Sequence, residues 1–322
     1  MLIPEDVPET DRFSEIINQA ASCNLNIAAR ENGLQKGIYQ MINSKRGVKF
    51  ILSAAITLFS IETFQNQAFG QSANFYIQRG IKKAKKGDFK NAIDDYNKAI
   101  KLNPNSSDAY YNRAYDKVSI GDLDGALKDY DLAIKITPND ADAYYHRANT
   151  KVKLKYYKES ISDYSKAILL NPNYIDAYYN RANAKSSLKD YTASIKDYTE
   201  AIKLNPIHID AYYNRAYSKD EIEDHQGAIK DYTKVIEIRP RFADAYYNRG
   251  NVNYTSRSYT NAISDYSKSI ELDSNNQDAY LNRGISKEKI LDLKGACLDW
   301  NMASTLGSKI ANKWLVQECN ES

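Results

Sequence analysis

The stretch Asp108-Ala109-Tyr110-Tyr111-Asn112-Arg113-Ala114 returns along the chain at a fixed step of 34 residues. Further copies lie at 142–148, 176–182, 210–216, 244–250 and 278–284, and a degenerate copy at 74–80 keeps Tyr76 and Arg79. Seven units of this length tile the chain without insertion or deletion, at 73–106, 107–140, 141–174, 175–208, 209–242, 243–276 and 277–310. An unbroken register of this kind indicates supersecondary elements stacked in a row, which is a solenoid. Positions within each unit are called places 1 to 34 below.

Each unit carries two apolar patterns of helical period separated by a turn. In the second unit the first pattern runs through Tyr110, Ala114 and Lys117, and the second through Ala126, Leu127, Tyr130, Ala133 and Ile134. The dipeptide Gly121-Asp122 breaks the two patterns, and the ring of Pro138 ends the second helix. We therefore expect one antiparallel helix pair per unit.

Small residues at places 8, 20 and 27, aromatic residues at places 4 and 24, and proline at place 32 make residues 73–310 resemble the tetratricopeptide repeat family. The resemblance implies an all-α, right-handed α-solenoid of seven helix-turn-helix units, with a concave wall built by the first helices. Place 7 holds Arg where that family usually has Leu, and place 11 mostly holds Lys where Tyr is usual. This variant is similar to the Tyr-rich arrays common in bacteria.

A C-terminal segment follows the last unit. Residues 309–318 are predicted to form a helix that presents Ile310, Trp314 and Leu315 on one face. We interpret this helix as a cap over the exposed side of the last repeat, with 311–322 as the remainder of the cap and a tail.

The first 70 residues read as a leader. Lys45, Arg46 and Lys49 precede an apolar run at 50–61, and Ala68 and Gly70 fit a cleavage site, so 41–70 is predicted to be a signal peptide. The alternative is a retained membrane anchor at 48–61, although 12 apolar residues are short of the roughly 20 that span a bilayer. Residues 1–40 are an untranslated extension if synthesis starts at Met41, or a cytosolic segment if the anchor is retained. Either arrangement exports the repeats, to a periplasm, a lumen or the extracellular space.

The resemblance implies that places 2, 5, 6, 9, 12 and 13 line the concave groove. Place 6 carries a row of carboxamides with one exception, and place 9 carries a partial row: Asn112, His146, Asn180, Asn214, Asn248 and Asn282, then Asn149, Asn183 and Asn251. Such a ladder is similar to that of O-GlcNAc transferase superhelices. It can donate to and accept from the backbone of an extended peptide, and we expect its side chains to face solvent; the alternative is a merely solvated face.

Two further rows border the ladder. The tyrosines of place 5 are either exposed in the groove or packed between neighbouring first helices: Tyr111, Tyr145, Tyr179, Tyr213 and Tyr247. The aspartates of place 2 lie in the first turn of a helix, where the helix dipole alone favours them.

An Arg at place 7 is followed sixteen residues later by an Asp in every unit. The pairs are Arg79 with Asp95, Arg113 with Asp129, Arg147 with Asp163, Arg181 with Asp197, Arg215 with Asp231, Arg249 with Asp265 and Arg283 with Asp299. Because an antiparallel hairpin brings these two places to a similar height, we favour structural ion pairs over a ligand-binding row of arginines.

Cys297 and Cys319 are predicted to form a disulfide. Removal of the leader would remove Cys23 and leave an even pair in a compartment where disulfides persist. The two cysteines lie on consecutive helices joined around Gly307. The alternative is a core thiol at Cys297 and an unrelated thiol in the tail.

Composition gives little support to catalysis. Three scattered histidines, at 146, 208 and 225, support neither a metal site nor a catalytic triad, and no phosphate-binding glycine loop is present. The formal net charge of +3 is too slight to indicate a nucleic acid or anionic membrane partner. We therefore expect a non-enzymatic scaffold that needs no cofactor and binds a protein or peptide, over a helical-repeat RNA-binding protein or an enzyme with an unrecognised site. Membrane contact is expected only through an uncleaved leader.

Overall fold

The computed structural model describes residues 73–319, and the predictions about the leader and Cys23 lie outside this range. The described residues are helical, with no strand among them. The first described helix, α1, covers 73–84. The others are α2 Phe89–Leu102, α3 Ser107–Ser119, α4 Leu123–Ile136, α5 Ala141–Lys153, α6 Tyr157–Leu170, α7 Ile175–Ser187, α8 Tyr191–Leu204, α9 Ile209–Asp220, α10 His225–Ile238, α11 Ala243–Thr255, α12 Tyr259–Leu272, α13 Gln277–Glu288, α14 Leu293–Thr305 and α15 Lys309–Glu318.

The helices pack in sequence order. Each helix from α2 to α15 contacts its neighbours in sequence, and α1 contacts α2 through Arg79 and Gly80. Most first helices also touch the first helix of the next repeat. Odd-numbered helices α1 to α13 are the first helices of the seven repeats, and even-numbered helices α2 to α14 are the second. The predicted all-α solenoid of seven helix hairpins with a terminal helix is confirmed.

Small and large side chains alternate in the core, as close helix packing requires. The ring at place 24 is buried from Tyr96 to Trp300. The residue at place 8 of the first helix packs with it. At Gly284 an added Cβ would come within 2.5 Å of the Trp300 ring. Glycine rather than alanine at place 8 therefore leaves room for the indole, which is larger than the tyrosine ring of the other repeats.

Local signals set the helix ends. Asp and Ser side chains cap several first turns, as when Asp190 accepts from the backbone N–H of Ala193 and Ser308 from that of Ala311. The turn between the paired helices closes with a residue of positive φ, which is Gly121 in the second repeat and Lys189 in the fourth.

The terminal helix α15 caps the last repeat through Trp314 and Leu315, which pack against Trp300. Ile310 does not share this face: it is 57% exposed, and Ala311 is the fully buried residue of the first turn. Cys297 and Cys319 are joined by a disulfide that ties α14 to the end of α15. None of the helices within 73–319 is long and apolar enough to cross a membrane.

Candidate functional site: the wall of the first helices

Two side-chain networks repeat along the first helices. The first, named here the Arg–Asp–Lys cluster, joins places 7, 23 and 11 within one repeat. The second, named the Asn–Tyr ladder, joins places 5, 9 and 24 of one repeat to place 6 of the next.

In the Arg–Asp–Lys cluster, every aspartate of place 23 is at most 5% exposed. The Arg of place 7 grips it with two parallel hydrogen bonds: Nε lies 2.8–3.0 Å from Oδ2, and Nη2 lies 2.5–2.7 Å from Oδ1. The same Oδ2 accepts from the Lys of place 11 at 2.7–2.9 Å in six repeats, and from Asn253 in the sixth repeat. A buried carboxylate is thereby fully paired, as its desolvation requires.

The arginines also connect neighbouring repeats. From the second repeat onward, Nη1 donates back to the residue at place 25 of the preceding repeat over 2.6–3.0 Å, as Arg181 does to Ser165 Oγ. Each guanidinium further lies 4.9–5.7 Å from the ring centre of the tyrosine at place 4. In the first repeat, the hydrogen bond from Arg79 lowers the pKa of Asp95 to about 2. The guanidinium groups are therefore occupied by structural contacts, which does not support a ligand-binding row of arginines.

The Asn–Tyr ladder runs along the neighbouring face of the first helices. Asn180 Nδ2 donates to Tyr145 Oη at 2.9 Å and to Asn149 Oδ1 at 3.3 Å, both in the preceding repeat. Tyr164 Oη, from the second helix, donates to the same Asn149 Oδ1 at 2.6 Å. The ladder asparagines are therefore half-buried, with their amide nitrogens engaged, which differs from the expected solvent-facing side chains.

The same rung recurs at Asn214, which donates to Tyr179 and Asn183, and at Asn282, which donates to Tyr247 and Asn251. Asn248 donates to Tyr213 alone, because place 9 of the fifth repeat is Tyr217. Burial raises the pKa of the tyrosines of place 5 above the ordinary value of 10.0, so their hydroxyls stay protonated. The tyrosines pack between neighbouring repeats and present only part of each ring.

The N-terminal end of the wall departs from this pattern. Asn112 donates to the backbone oxygen of Asp108 in its own helix, because place 5 of the first repeat is Ile77. His146 replaces the next asparagine, and its ring meets Tyr111, Tyr115 and Tyr145 edge-on, with centroid distances of 5.1–5.7 Å. Burial lowers the pKa of His146 below 6.5, an effect that Asp142 and Asp140 oppose.

The aspartates of place 2 border the ladder and are exposed from Asp108 to Asp278. Asp142 accepts a hydrogen bond from Tyr174 Oη at 2.7 Å, so one of them also has a structural contact. Within 73–319, no group of three or more His, Cys, Asp or Glu residues is placed to hold a metal ion.

Family models match most of the repeat region, and three of the matches coincide with whole repeats. Models described as "TPR repeat" match residues 82–117, 114–155 and 221–256, and models described as "Tetratricopeptide repeat" match 141–174, 175–208 and 243–276. No match was found among curated proteins.

Solved structures give similar folds. YrrB, described as a TPR protein with an unusual peptide-binding site, is 25% identical, covers 57% of this chain and 95% of its own, and superposes with a TM-score of 0.53. A MamA protein is 26% identical over 54% of this chain and 96% of its own, with a TM-score of 0.51. The C-terminal part of a TPR repeat-containing protein from Cytophaga hutchinsonii is 18% identical over 74% of this chain and 99% of its own; its TM-score of 0.67 supports the fold alone.

Proposed function

The chain belongs to the tetratricopeptide repeat family and is a protein-interaction scaffold; from this premise we propose that it binds an extended peptide segment of a partner protein along its Asn–Tyr ladder, without catalysing a reaction. The groove residues of this proposal are the asparagines of places 6 and 9, His146 at place 6, and the tyrosines of place 5.

The observation that carries the proposal is a row of fixed acceptors. The amide nitrogen of Asn180, Asn214 and Asn248 is held by the preceding repeat, while the Oδ1 atom of each accepts no hydrogen bond among residues 73–319. Each such oxygen is held in place before any ligand arrives, so an arriving peptide N–H meets an acceptor that loses little further freedom. Backbone contacts repeated in this way suit an extended segment of varied sequence.

Two observations bear on the class of partner. YrrB, similar in fold and 25% identical, is itself described as having a peptide-binding site. The exposed aspartates beside the ladder would repel the phosphates of RNA, which favours a protein ligand over a nucleic acid.

The test uses the full chain and peptides selected on it from a random 12-residue phage library. Fluorescein-labelled copies of the selected peptides are titrated against the triple variant Asn180→Ala, Asn214→Ala, Asn248→Ala. We expect the variant to bind at least tenfold more weakly, because three acceptors are lost. Binding is measured at a temperature where circular dichroism shows the variant fully helical.

The matched control replaces three exposed asparagines in the turns after second helices: Asn139→Ala, Asn173→Ala and Asn275→Ala. It should bind as the parent chain does. Selected peptides whose affinity is unaffected by the ladder variant, or a library that yields no binder, would overturn the proposal.

We further propose that the repeats act outside the cytosol, with the leader removed after Gly70. The disulfide between Cys297 and Cys319 supports this, since disulfides persist mainly in oxidising compartments. N-terminal sequencing of the exported protein should read Gln-Ser-Ala-Asn. Recovery of intact residues 41–70 in membranes would support the anchor instead, and two free thiols in exported protein would argue against the compartment.

A further inference from the structure

A cavity of about 290 Å³ opens at the boundary of the sixth and seventh repeats. It lies on the Asn–Tyr ladder and is lined by Asn251, Tyr254, Thr255, Tyr266, Asn282 and Ile285. We name it the Tyr254–Ile285 pocket. No residue in this lining carries a charge.

The pocket has a rigid polar floor. Asn251 Oδ1 accepts from Tyr266 Oη at 2.8 Å and from Asn282 Nδ2 at 3.1 Å, so its acceptor capacity is used inside the protein. Tyr266 is 1% exposed, which holds the floor in place. A ligand therefore meets a preformed surface.

Its sides are apolar and come from two different repeats. Tyr254, at place 12 of the sixth repeat, rests near Tyr259 with ring centres 5.5 Å apart. Ile285, at place 9 of the seventh repeat, packs against the buried cluster around Trp300. Both side chains are supported from behind and remain half-buried.

The equivalent boundaries upstream differ in chemistry. Between the fifth and sixth repeats, the places of Tyr254 and Thr255 hold Asp220 and Glu221, and the place of Ile285 holds Asn251. Between the third and fourth repeats, Lys153 stands in the place of Thr255 and Asn183 in that of Ile285. Among the six boundaries between the repeats of 73–310, this one alone combines an aromatic ring at place 12 with an aliphatic side chain at place 9 of the next repeat.

We propose that the Tyr254–Ile285 pocket is a specificity subsite that seats one large apolar side chain, aliphatic or aromatic, of the peptide bound along the ladder. The proposal rests on the proposed function and names the ligand chemistry at one point of that site. No upstream boundary repeats this pairing. The boundaries that carry a charge, at Lys85, Lys153 and Asp220 with Glu221, would also disfavour an apolar side chain, so the pocket sets the register of the peptide.

The volume of the Tyr254–Ile285 pocket and the polar atoms at its edge support an apolar side chain as the occupant. Sites for small molecules usually measure roughly 300–1,000 Å³, so a cavity of about 290 Å³ suits a side chain better than a cofactor. At its edge, Tyr254 Oη forms no hydrogen bond among the described residues, and Asn282 Oδ1 accepts none. This donor and this acceptor match the C=O and N–H of the peptide unit that carries the side chain.

The test uses the full chain, the phage-selected peptides and the double variant Tyr254→Ser, Ile285→Asn. These replacements are the residues that the fourth repeat has at the same places, Ser186 and Asn183, so they are compatible with the fold. We expect selected peptides to share one Leu, Ile, Phe or Trp whose replacement by Asp weakens binding at least tenfold. The same peptides should lose at least tenfold affinity for the double variant.

The matched control is the double variant Tyr156→Ser, Ile207→Asn, which makes the same two exchanges at exposed residues in turns outside the groove. It should leave affinity unchanged, and circular dichroism should show both variants folded. Peptides that depend on Asn180, Asn214 and Asn248 but bind the double variant as tightly as the parent would overturn the subsite and leave the proposed function standing. If no peptide depends on those asparagines, the proposed function and this subsite fall together.

Discussion

The Arg–Asp–Lys cluster and the Asn–Tyr ladder occupy the same helices but differ in constancy along the chain. Arg at place 7 and Asp at place 23 are present in all seven repeats, and Lys at place 11 in six of them. The ladder begins with Ile77 in place of Tyr, has His146 in place of Asn, and meets Tyr217 in the fifth repeat. The Arg–Asp–Lys cluster is therefore nearly constant along 73–310, whereas the Asn–Tyr ladder changes from repeat to repeat.

The difference has a physical basis. The cluster surrounds a carboxylate that is nearly inaccessible, so loss of any partner leaves hydrogen-bonding atoms of a buried charge unsatisfied. The ladder groups are half-buried and neutral, and water or another residue can replace a lost hydrogen bond. The ladder can therefore vary with the ligand, whereas the cluster holds each hairpin together.

The strongest test of this contrast is Arg181→Ala. It would leave Asp197, 4% exposed, with Lys185 as its remaining cationic partner. We expect the free energy of unfolding to fall by about 3 kcal/mol or more, the range for breaking a buried pair. Urea denaturation, read at the first transition because repeat arrays can unfold in steps, measures this loss.

A double-mutant cycle with Asp197→Ala should give a coupling of about 1 kcal/mol or more. The control is Lys203→Ala, which removes an exposed pair with Glu200 and should change stability by less than about 0.5 kcal/mol. Additive losses in the cycle would show that the arginine acts through something other than the aspartate.

Asp116 is a buried carboxylate outside the Arg–Asp–Lys cluster and, unlike Asp197, it lacks a cationic partner among the described residues. It is 2% exposed, and its Oδ2 atom has no hydrogen-bond partner. Burial raises the pKa of Asp116 to about 6. At the same place the next repeats carry Thr150 and Ala184, so we predict that Asp116→Thr stabilises the protein at pH 7, by about 2 kcal/mol after allowance for solvent screening.

The pH dependence has a definite sign. The folded-state pKa of Asp116 lies above its unfolded value of 3.8, so the folded state binds more protons between pH 4 and 6. Asp116 should therefore lower the stability of the parent chain as pH rises through that window. Denaturation at pH 4 and pH 7 should show a benefit of the variant that grows with pH, and an equal effect at both values would contradict this account.

A smaller loss is expected when one rung of the ladder is removed. Asn214→Ala deletes hydrogen bonds to Tyr179 Oη at 3.0 Å and to Asn183 Oδ1 at 3.2 Å. We expect a loss of about 1 kcal/mol, well below that of Arg181→Ala, because neutral hydrogen bonds contribute modestly. Thermal denaturation beside Asn173→Ala, an exposed control, checks the value; a loss equal to that of Arg181→Ala would erase the distinction between the networks.

The sequence was sufficient to predict the helix hairpins and the Arg–Asp pairing. A separation of sixteen residues within one hairpin is a local relation, which the turn position alone determines. The third member of the cluster was also visible, since Lys83, Lys117 and their copies recur at place 11, but its sharing of the aspartate was missed.

Contacts between repeats were harder to predict. Asn180 meets Tyr145 across 35 residues and Asn149 across 31, so the relation depends on how far consecutive hairpins rotate against each other. The Tyr254–Ile285 pocket has the same origin, since its two sides lie 31 residues apart in different repeats. A pattern read within one repeat contains no information about that rotation.

The smallest predicted effect comes from His146→Asn, which restores the common residue to the ladder. Asn at this position could donate to Tyr111 Oη, while the edge contacts of His146 with three tyrosine rings would be lost. These changes oppose each other and are of similar size, so we expect stability at pH 8 to change by less than about 0.5 kcal/mol.

The stability of the parent chain and that of the His146→Asn variant should respond differently to acid pH. The folded-state pKa of His146 lies below its ordinary value of 6.5, so the unfolded state takes up protons first, and the parent chain loses stability from this source as pH falls below that value. The asparagine variant lacks the titrating ring and should be the more stable of the two at pH 5, relative to their difference at pH 8. The measurement is the shift in thermal midpoint between pH 8 and pH 5 for both proteins. Parallel shifts would mean that His146 ionises freely in the folded wall, and a large loss at pH 8 would mean that the ladder is as intolerant of exchange as the Arg–Asp–Lys cluster.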